Sequence, residues 1–346
     1  MTIPVQSAPN TAETLGPYLL FLGDIENAAY AKTAFGVRDW APDRCVGEFA
    51  LAEADVATGL PRIEPEEAYA RGARALLIAV ATPGGLIPAE WLPSLKRSLA
   101  AGLDIVSGMH VRLNEIDELV EAATRFDRKL IDLRIPPPDI PIATGQRRSG
   151  RRLLTVGTDC ALGKKYTALA VAQELQGRGI DARFRATGQT GMMISGSGIP
   201  IDAVVADFVA GAAELLSPAG AADHLDVIEG QGSLFHPAYA AVSLGLLHGS
   251  QPDMFIVCHQ PGRTHVLGYP EFQLPSVDQV ISQTISLGKL TNPAVRCVGL
   301  SLNTAHLDEK EASELLRSES DRLSLAVADP MRGGPAFERL LDACEA

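Results

Sequence analysis

The sequence predicts a two-domain α/β protein built on open parallel sheets, and three observations carry that prediction. Short apolar and β-branched runs alternate with helix-forming segments from Tyr18 almost to the C-terminus, the pattern of strand–helix–strand crossovers. The chain has 346 residues, more than one typical domain holds. Between two alternating halves lies Ile135-Pro-Pro-Pro-Asp-Ile-Pro141, which its consecutive prolines keep extended and stiff. The reading is a first domain over residues 1–140 and a second over 141–346.

Residues 1–16 read as a loose tail. Tyr18-Leu-Leu-Phe-Leu-Gly-Asp24 reads as a buried parallel strand ending in a turn, with a helical stretch after it through Lys32. Another short strand is expected from Val46, and Ala73 to Ala81 is a strong buried strand leaving through a loop, Thr82-Pro-Gly-Gly85. A helix from Pro88 to Ala101, a strand from Gly102 to Ser107, a helix from Asn114 to Arg128 and a strand from Lys129 to Leu133 follow. The first strand has no G-x-G-x-x-G after it, so no dinucleotide site is inferred.

The second half begins with Arg147, Arg148, Arg151 and Arg152, a basic cluster that suits either a solvated linker or a second anionic part of a ligand. Leu153 to Val156 reads as a buried strand, Gly157 to Gly163 as a turn, and the Ala- and Leu-rich segment 163–177 as a helix. Strands are expected at 181–186, 225–229, 254–258, 295–302 and 323–328, and helices at 202–216, 237–247, 276–287, 308–317 and 335–344. Thr187 to Gly191 reads as a loop. Gly157, Thr187, Glu229, His259 and Asn303 each fall at or just past the carboxyl end of a strand, where open α/β sheets bind ligands.

The strand, glycine-bounded turn and helix around Gly157 form the recipe for a phosphate cradle. Loop amides point inward, the helix N-terminus adds its dipole, and Lys164 supplies a charge. Gly157, Thr158, Asp159, Cys160, Gly163, Lys164, Lys165 and Thr167 are the candidate cofactor-binding residues. The common pattern is G-x-x-x-x-G-K-[ST]. Here five residues separate the glycines, and Lys165 replaces the hydroxyl that would bind Mg²⁺. The longer loop resembles the G-T-D-x-x-x-G-K loop of dethiobiotin synthetase-like proteins, which keep a Thr after the lysine. Cys160, beside a helix N-terminus, either has a lowered pKa or is simply small enough for the loop.

Glu229 ends the apolar strand Leu225-Asp-Val-Ile-Glu229 and suits a metal-supporting acid, a proton acceptor, or a carboxylate held by the amides of Gly230 to Ser233. His236 suits a base of ordinary pKa or a helix-capping group. Arg263 has the fork that grips carboxylate or phosphate. His248, His259 and His265 have no ligand spacing with Cys or carboxylates, so no metal is expected.

Composition narrows the partners. The formal net charge of −12 argues against nucleic acid and anionic membrane surfaces. Hydrophobic content of 46% allows sizeable cores. Five scattered cysteines without a C-x-x-C pair read as reduced thiols. With no signal-peptide pattern and no apolar run of transmembrane length, a cytoplasmic protein is expected.

Several of these motifs together resemble one family, known as a domain of unknown function. They are Gly157-Thr-Asp-Cys-Ala-Leu-Gly-Lys-Lys, Thr187-Gly-Gln-Thr-Gly191, Ile228-Glu-Gly-Gln-Gly-Ser-Leu234, His236-Pro-Ala-Tyr239, Gly245 to Asp253 and Gly299-Leu-Ser-Leu-Asn-Thr304. Ala31-Lys-Thr33, Pro83-Gly-Gly-Leu86 and Gly102 to Gly108 extend the likeness to nearly the whole chain. Within that family the chain is most similar to the DgcN-type D-glutamate N-acetyltransferases.

The resemblance implies a Rossmann-like N-terminal domain joined to a P-loop NTPase-like C-terminal domain. It also implies acetyl transfer from acetyl-CoA, as co-substrate, to D-glutamate or a related D-amino acid, ahead of oxidation by a partner enzyme. Residue chemistry then assigns Glu229 or His236 as base, Lys164 and Lys165 to phosphate, and Gln189, Thr190 and Arg263 to the substrate carboxylates. A homo-oligomer is expected. Two other readings stay open: an ATP-dependent ligase or kinase of dethiobiotin synthetase type, with Thr167 supplying the hydroxyl, and a non-catalytic nucleotide- or CoA-binding protein.

Overall fold

The structure is a computed structural model that describes residues 16–51, 55–80, 82 and 85–346. It divides into two compact units, residues 1–137 with 189–203, and 138–188 with 204–346. The expected tail at residues 1–16 lies, Gly16 apart, outside the described residues, as do Ala81, Pro83 and Gly84.

The first unit strings together β1 (Tyr18–Gly23), α1 (Lys32–Trp40), β2 (Cys45–Ala50), α2 (Pro65–Ala70), β3 (Ala75–Ile78), α3 (Leu92–Ala100), β4 (Asp104–Ser107), α4 (Asp117–Phe126) and β5 (Leu130–Asp132). Its sheet is ordered β2-β1-β3-β4-β5 and every pairing is parallel. All residues of β1 and β3 are buried, as a parallel sheet covered on both faces requires. The helix expected through Lys32 instead begins there. Ala28 to Tyr30 form a 3-10 turn, and α1 buries Ala34 and Val37 three residues apart, a spacing that keeps one face on the core.

The second unit begins with β6 (Arg151–Gly157), α5 (Lys164–Gly177) and β7 (Ala182–Arg185). After α6 (Gln189–Ser195), which belongs to the first unit, come α7 (Val209–Leu216), β8 (Leu225–Ile228), α8 (Ala240–Ser250) and β9 (Met254–His259). A hairpin, β10 (His265–Val266) with β11 (Tyr269–Gln273), precedes α9 (Val277–Gly288), β12 (Arg296–Leu302), α10 (Glu309–Leu323), β13 (Ala326–Ala328) and α11 (Gly334–Glu345). The six-stranded sheet is ordered β13-β12-β9-β6-β8-β7, again with parallel pairings throughout. Beside β6 the chain changes direction, running out to β7 and β8 on one flank and to β9, β12 and β13 on the other. The carboxyl end of β6 is thus the topological switch point.

Three expectations change. Thr187 to Gly191 is not all loop, because α6 starts at Gln189. The helix expected over 202–216 is regular only from Val209, after 3-10 turns at Ile201–Ala203 and Ala206–Phe208. The chain passes from one unit to the other between residues 203 and 204, and Asp202 is anchored by Arg134 of the first unit at 2.8 Å. The basic cluster is neither linker nor ligand contact: it sits at the amino end of β6, opposite the phosphate loop. Arg152 is buried there, donating to Ser217 Oγ (2.8 Å) and to the carbonyls of Ser149 and Pro218. Arg147 pairs with Asp253, and Arg151 caps the carbonyl of Glu345.

Candidate active site

The site grows from the carboxyl end of β6. Gly157 passes so close to β9 that a Cβ would lie 3.0 Å from the Cys258 carbonyl oxygen. Ala161 (φ 53°) and Gly163 (φ 107°) are both left-handed, which curls the loop over the start of α5. Amide groups from Asp159 to Lys164 donate to no protein acceptor among the described residues. A row of unpartnered amides at a helix N-terminus is an anion cradle. Lys164 is buried and donates from Nζ to the Asp159 carbonyl (2.6 Å). Burial, above all, lowers its pKa.

The loop is braced from behind. Asp159 is wholly buried, and its Oδ2 accepts from Arg263 Nη1 (3.1 Å) and the Leu267 amide (2.8 Å). Arg263 also donates to the Cys160 carbonyl (2.9 Å) and to Gln260 Oε1 (2.5 Å). The structure thus places the Arg263 guanidinium on the phosphate loop itself. Thr158 Oγ1 meets His259 Nδ1 at 3.0 Å. Cys160 follows its second reading: burial raises its thiol pKa, outweighing the lowering by Lys164.

Thr167 also finds a place. Its hydroxyl is buried and shares a hydrogen bond with Ser301 Oγ (2.8 Å) one turn inside α5. Thr167 and Ser301 both also line the cavity beside the phosphate loop.

Glu229 lies just beyond β8, 5% exposed. Its Oε2 accepts from the amides of Thr187 (2.9 Å) and Gly188 (3.1 Å), after β7, rather than from Gly230 to Ser233. Desolvation raises its pKa, opposed first by Lys165, then by those two amides and by Lys164. Gly230 next to it is obligatory, since a Cβ there would fall 1.6 Å from the Thr155 carbonyl oxygen.

His236 is buried, stacked on Tyr239 (4.5 Å between centroids) and edged by Tyr269 (5.1 Å). The Ala238 amide donates to its Nδ1 (3.1 Å), which assigns the neutral ring's proton to Nε2. That N–H faces Asp159 Oδ1 at 3.9 Å, and Oδ1 is otherwise without a partner. Burial lowers the pKa of His236, against the pull of Asp159. A fixed neutral N–H donor is what this geometry makes. Ligand atoms of Asp159, Cys160 and His236 come within 4.8 Å of one another, but a cation at Nε2 would have to displace that proton.

Gln189 and Thr190 belong to the first unit, where Gln189 packs against Gly108 and Thr190 Oγ1 meets Thr33 Oγ1 at 3.1 Å. The hairpin residue Leu267, which steadies Asp159, gave no signal in the sequence. Nor did Thr187 and Gly188 as the amides that hold Glu229.

A family model described as a domain of unknown function, P-loop domain, matches residues 141–341, and its Rossmann-like N-terminal partner matches 44–136. The chain belongs to this family, DUF1611. A crystal structure of a DUF1611 family protein from Anabaena variabilis is 33% identical, with a TM-score of 0.84 over 94% of this chain and 98% of that one. Two curated relatives bear the name D-glutamate N-acetyltransferase. One, from Tritonibacter scottomollicae, is 47% identical over 95% of this chain and 98% of its own length. The other, from a Pseudoalteromonas species, is 44% identical over 92% and 96%. Among the described residues no helix is long and apolar enough to cross a membrane.

Proposed function

We propose that this DUF1611 protein is an N-acetyltransferase that moves acetyl from acetyl-CoA to the amine of D-glutamate. The observation that carries the reading is the near full-length identity, 47% and 44%, to two relatives of that name. The unpartnered amides of the loop after β6, with Lys164 and Lys165, suit the pyrophosphate of coenzyme A without the metal hydroxyl that an ATP-dependent enzyme uses.

Amine acylation needs a proton taken from the ammonium, a nucleophile held at the thioester carbon, and donors for the tetrahedral oxyanion. Glu229 is the base in this reading. Its pKa is raised by burial, and its Oε2 is fixed by two amides. The lone pair of His236 is engaged by the Ala238 amide. His236 is therefore not the base in this reading; its Nε2–H faces the Asp159 carboxylate, and loop N–H groups serve the oxyanion. As the C–N bond forms, the thioester carbonyl gains charge; its return breaks the C–S bond, the proton held by Glu229 passes to the leaving thiolate so that coenzyme A departs as the thiol, and the second nitrogen proton is lost to solvent. Arg263 remains proposed for a substrate carboxylate, through a donor left after bracing the loop.

The test is thiol release from acetyl-CoA across a panel of D- and L-amino acids. The expected result is turnover with D-glutamate well above L-glutamate. Magnesium-dependent ATP hydrolysis with no thiol release would overturn the reading.

A further inference from the structure

We propose that the cavity at the carboxyl ends of β12 and β13 holds the adenosine part of the donor, resting on the acetyl-CoA reading above. The cavity encloses about 300 Å³ and is lined by Leu162, Tyr166, Asn303, Pro330 and Met331, at the lower end of the roughly 300–1,000 Å³ range of ligand sites. It begins where the phosphate loop ends, because Leu162 and Gly163 belong to both. A ligand with phosphates on the loop amides has this space open to its next group.

The lining selects the kind of group. Leu162 and Tyr166 from the loop and α5, and Pro330 and Met331 from the turn after β13, offer apolar surfaces that suit the faces of a heteroaromatic ring. Met331 is 53% exposed although apolar. Asn303 supplies an edge: its Oδ1 accepts a long bond from the Ala305 amide (3.3 Å), while its side-chain amide donates to no described residue. Ring nitrogens of a purine accept such a bond.

The interior of the cavity does not suit a carboxylate or a phosphate, so the donor's 3′-phosphate is left at the solvent-facing side, where Met331 is exposed. Its cation, Arg332, is consumed by the fold: it donates to Thr304 Oγ1 (2.7 Å), Glu309 Oε2 (2.6 Å) and the carbonyls of Thr304 and Leu307. Asp329 Oδ2 accepts from the Thr304 amide (2.9 Å) and hydroxyl (2.6 Å), and its Oδ1 from the Met331 amide (2.9 Å). These bonds join the two strand-end turns into a fixed rim, so a ring enters a preformed space. D-glutamate, with two carboxylates, finds no available charge there.

The experiment compares acetyl-CoA with acetyl-pantetheine, which carries the same thioester but no adenosine, in the parent, Met331→Glu and Asn303→Ala. Met331 is exposed, so its substitution leaves the core untouched. Both variants are expected to lower the ratio of kcat/KM for acetyl-CoA over that for acetyl-pantetheine about tenfold. They should also weaken calorimetric binding of adenosine 3′,5′-bisphosphate to a similar degree. Unchanged ratio and unchanged binding in both variants would overturn the cavity assignment while leaving acetyl transfer intact. Suppose instead that the parent fails to use acetyl-CoA, yet binds ADP or ATP in a manner weakened by Met331→Glu. The cavity would then stand as an adenosine site for a free nucleotide, and the acetyl-CoA reading would fall.

Discussion

Glu229 and His236 differ in what their atoms are left to do. Glu229 Oε2 is held by two amides, while Oε1 accepts no hydrogen bond from a described residue; His236 has its lone pair engaged and its proton on the inner nitrogen. Positioned proton transfer contributes about 10²–10⁴-fold, so Glu229→Gln should lower kcat by that order and remove the acid limb of the pH–rate profile. His236→Asn should leave the acid limb in place. An acid limb that vanishes with His236→Asn and survives Glu229→Gln would make His236 the base. The same carboxyl makes a stability prediction. Because its folded pKa is raised, the protonated form is favoured on folding. That contribution is complete below the ordinary glutamate pKa and is lost as pH rises through the folded value. Glu229→Gln should therefore raise Tm relative to the parent at pH 7–8, with the gain disappearing near pH 4. A Tm difference that grows toward acid would refute the burial account. Lys165 in place of the metal hydroxyl, and the Thr167 hydroxyl bonded to Ser301, further predict thiol release unaffected by EDTA; activity lost to EDTA and restored by Mg²⁺ would argue for the ATP-dependent rival.

At the scale of elements, the strand β6, its loop and α5 work only because neighbouring strands come unusually close. Gly230→Ala puts a carbon on the Thr155 carbonyl, so the turn after β8 must move away from β6. Overpacking of this kind costs about 1–3 kcal/mol and sometimes more, and urea unfolding should show a loss at the upper end of that range with a severe loss of activity; a midpoint unchanged from the parent would mean that the turn has slack. The elements that could be read in the sequence were those with their own signal: the all-apolar run of β1, the glycines and lysine around β6, and the strand ending at Glu229. What escaped depended on partners far along the chain. Arg263 reaches Asp159 across 104 positions, and β10 and β11 are short, with β11 largely exposed, so neither has a buried periodicity to read. The arginines before β6 misled for the opposite reason. Their charge is visible in sequence, but the buried Ser217 and the turn carbonyls that absorb Arg152 are not.

At the scale of the molecule, the chain leaves the second unit after residue 188, contributes 189–203 to the first, and returns. Met192, Met193, Ile194, Ile199 and Ile201 in that excursion are buried, and Arg44 of the first unit donates to the carbonyls of Met193 (3.4 Å) and Ile194 (3.3 Å). A fragment of residues 138–346 keeps the whole six-stranded sheet but strips these side chains of their cover. Each large apolar side chain returned to water costs about 1.5–3 kcal/mol, and a contiguous exposed patch invites association. The fragment should therefore bind a hydrophobic dye and self-associate. The same fragment with 189–203 replaced by a Gly/Ser segment of equal length should be monomeric and bind little dye, since loop closure by a flexible segment adds only a slowly growing entropic cost. Sedimentation and dye fluorescence on the two fragments decide the matter. If the fragment that retains 189–203 is as monomeric and as dye-silent as the replaced one, the excursion does not depend on the first unit for its burial.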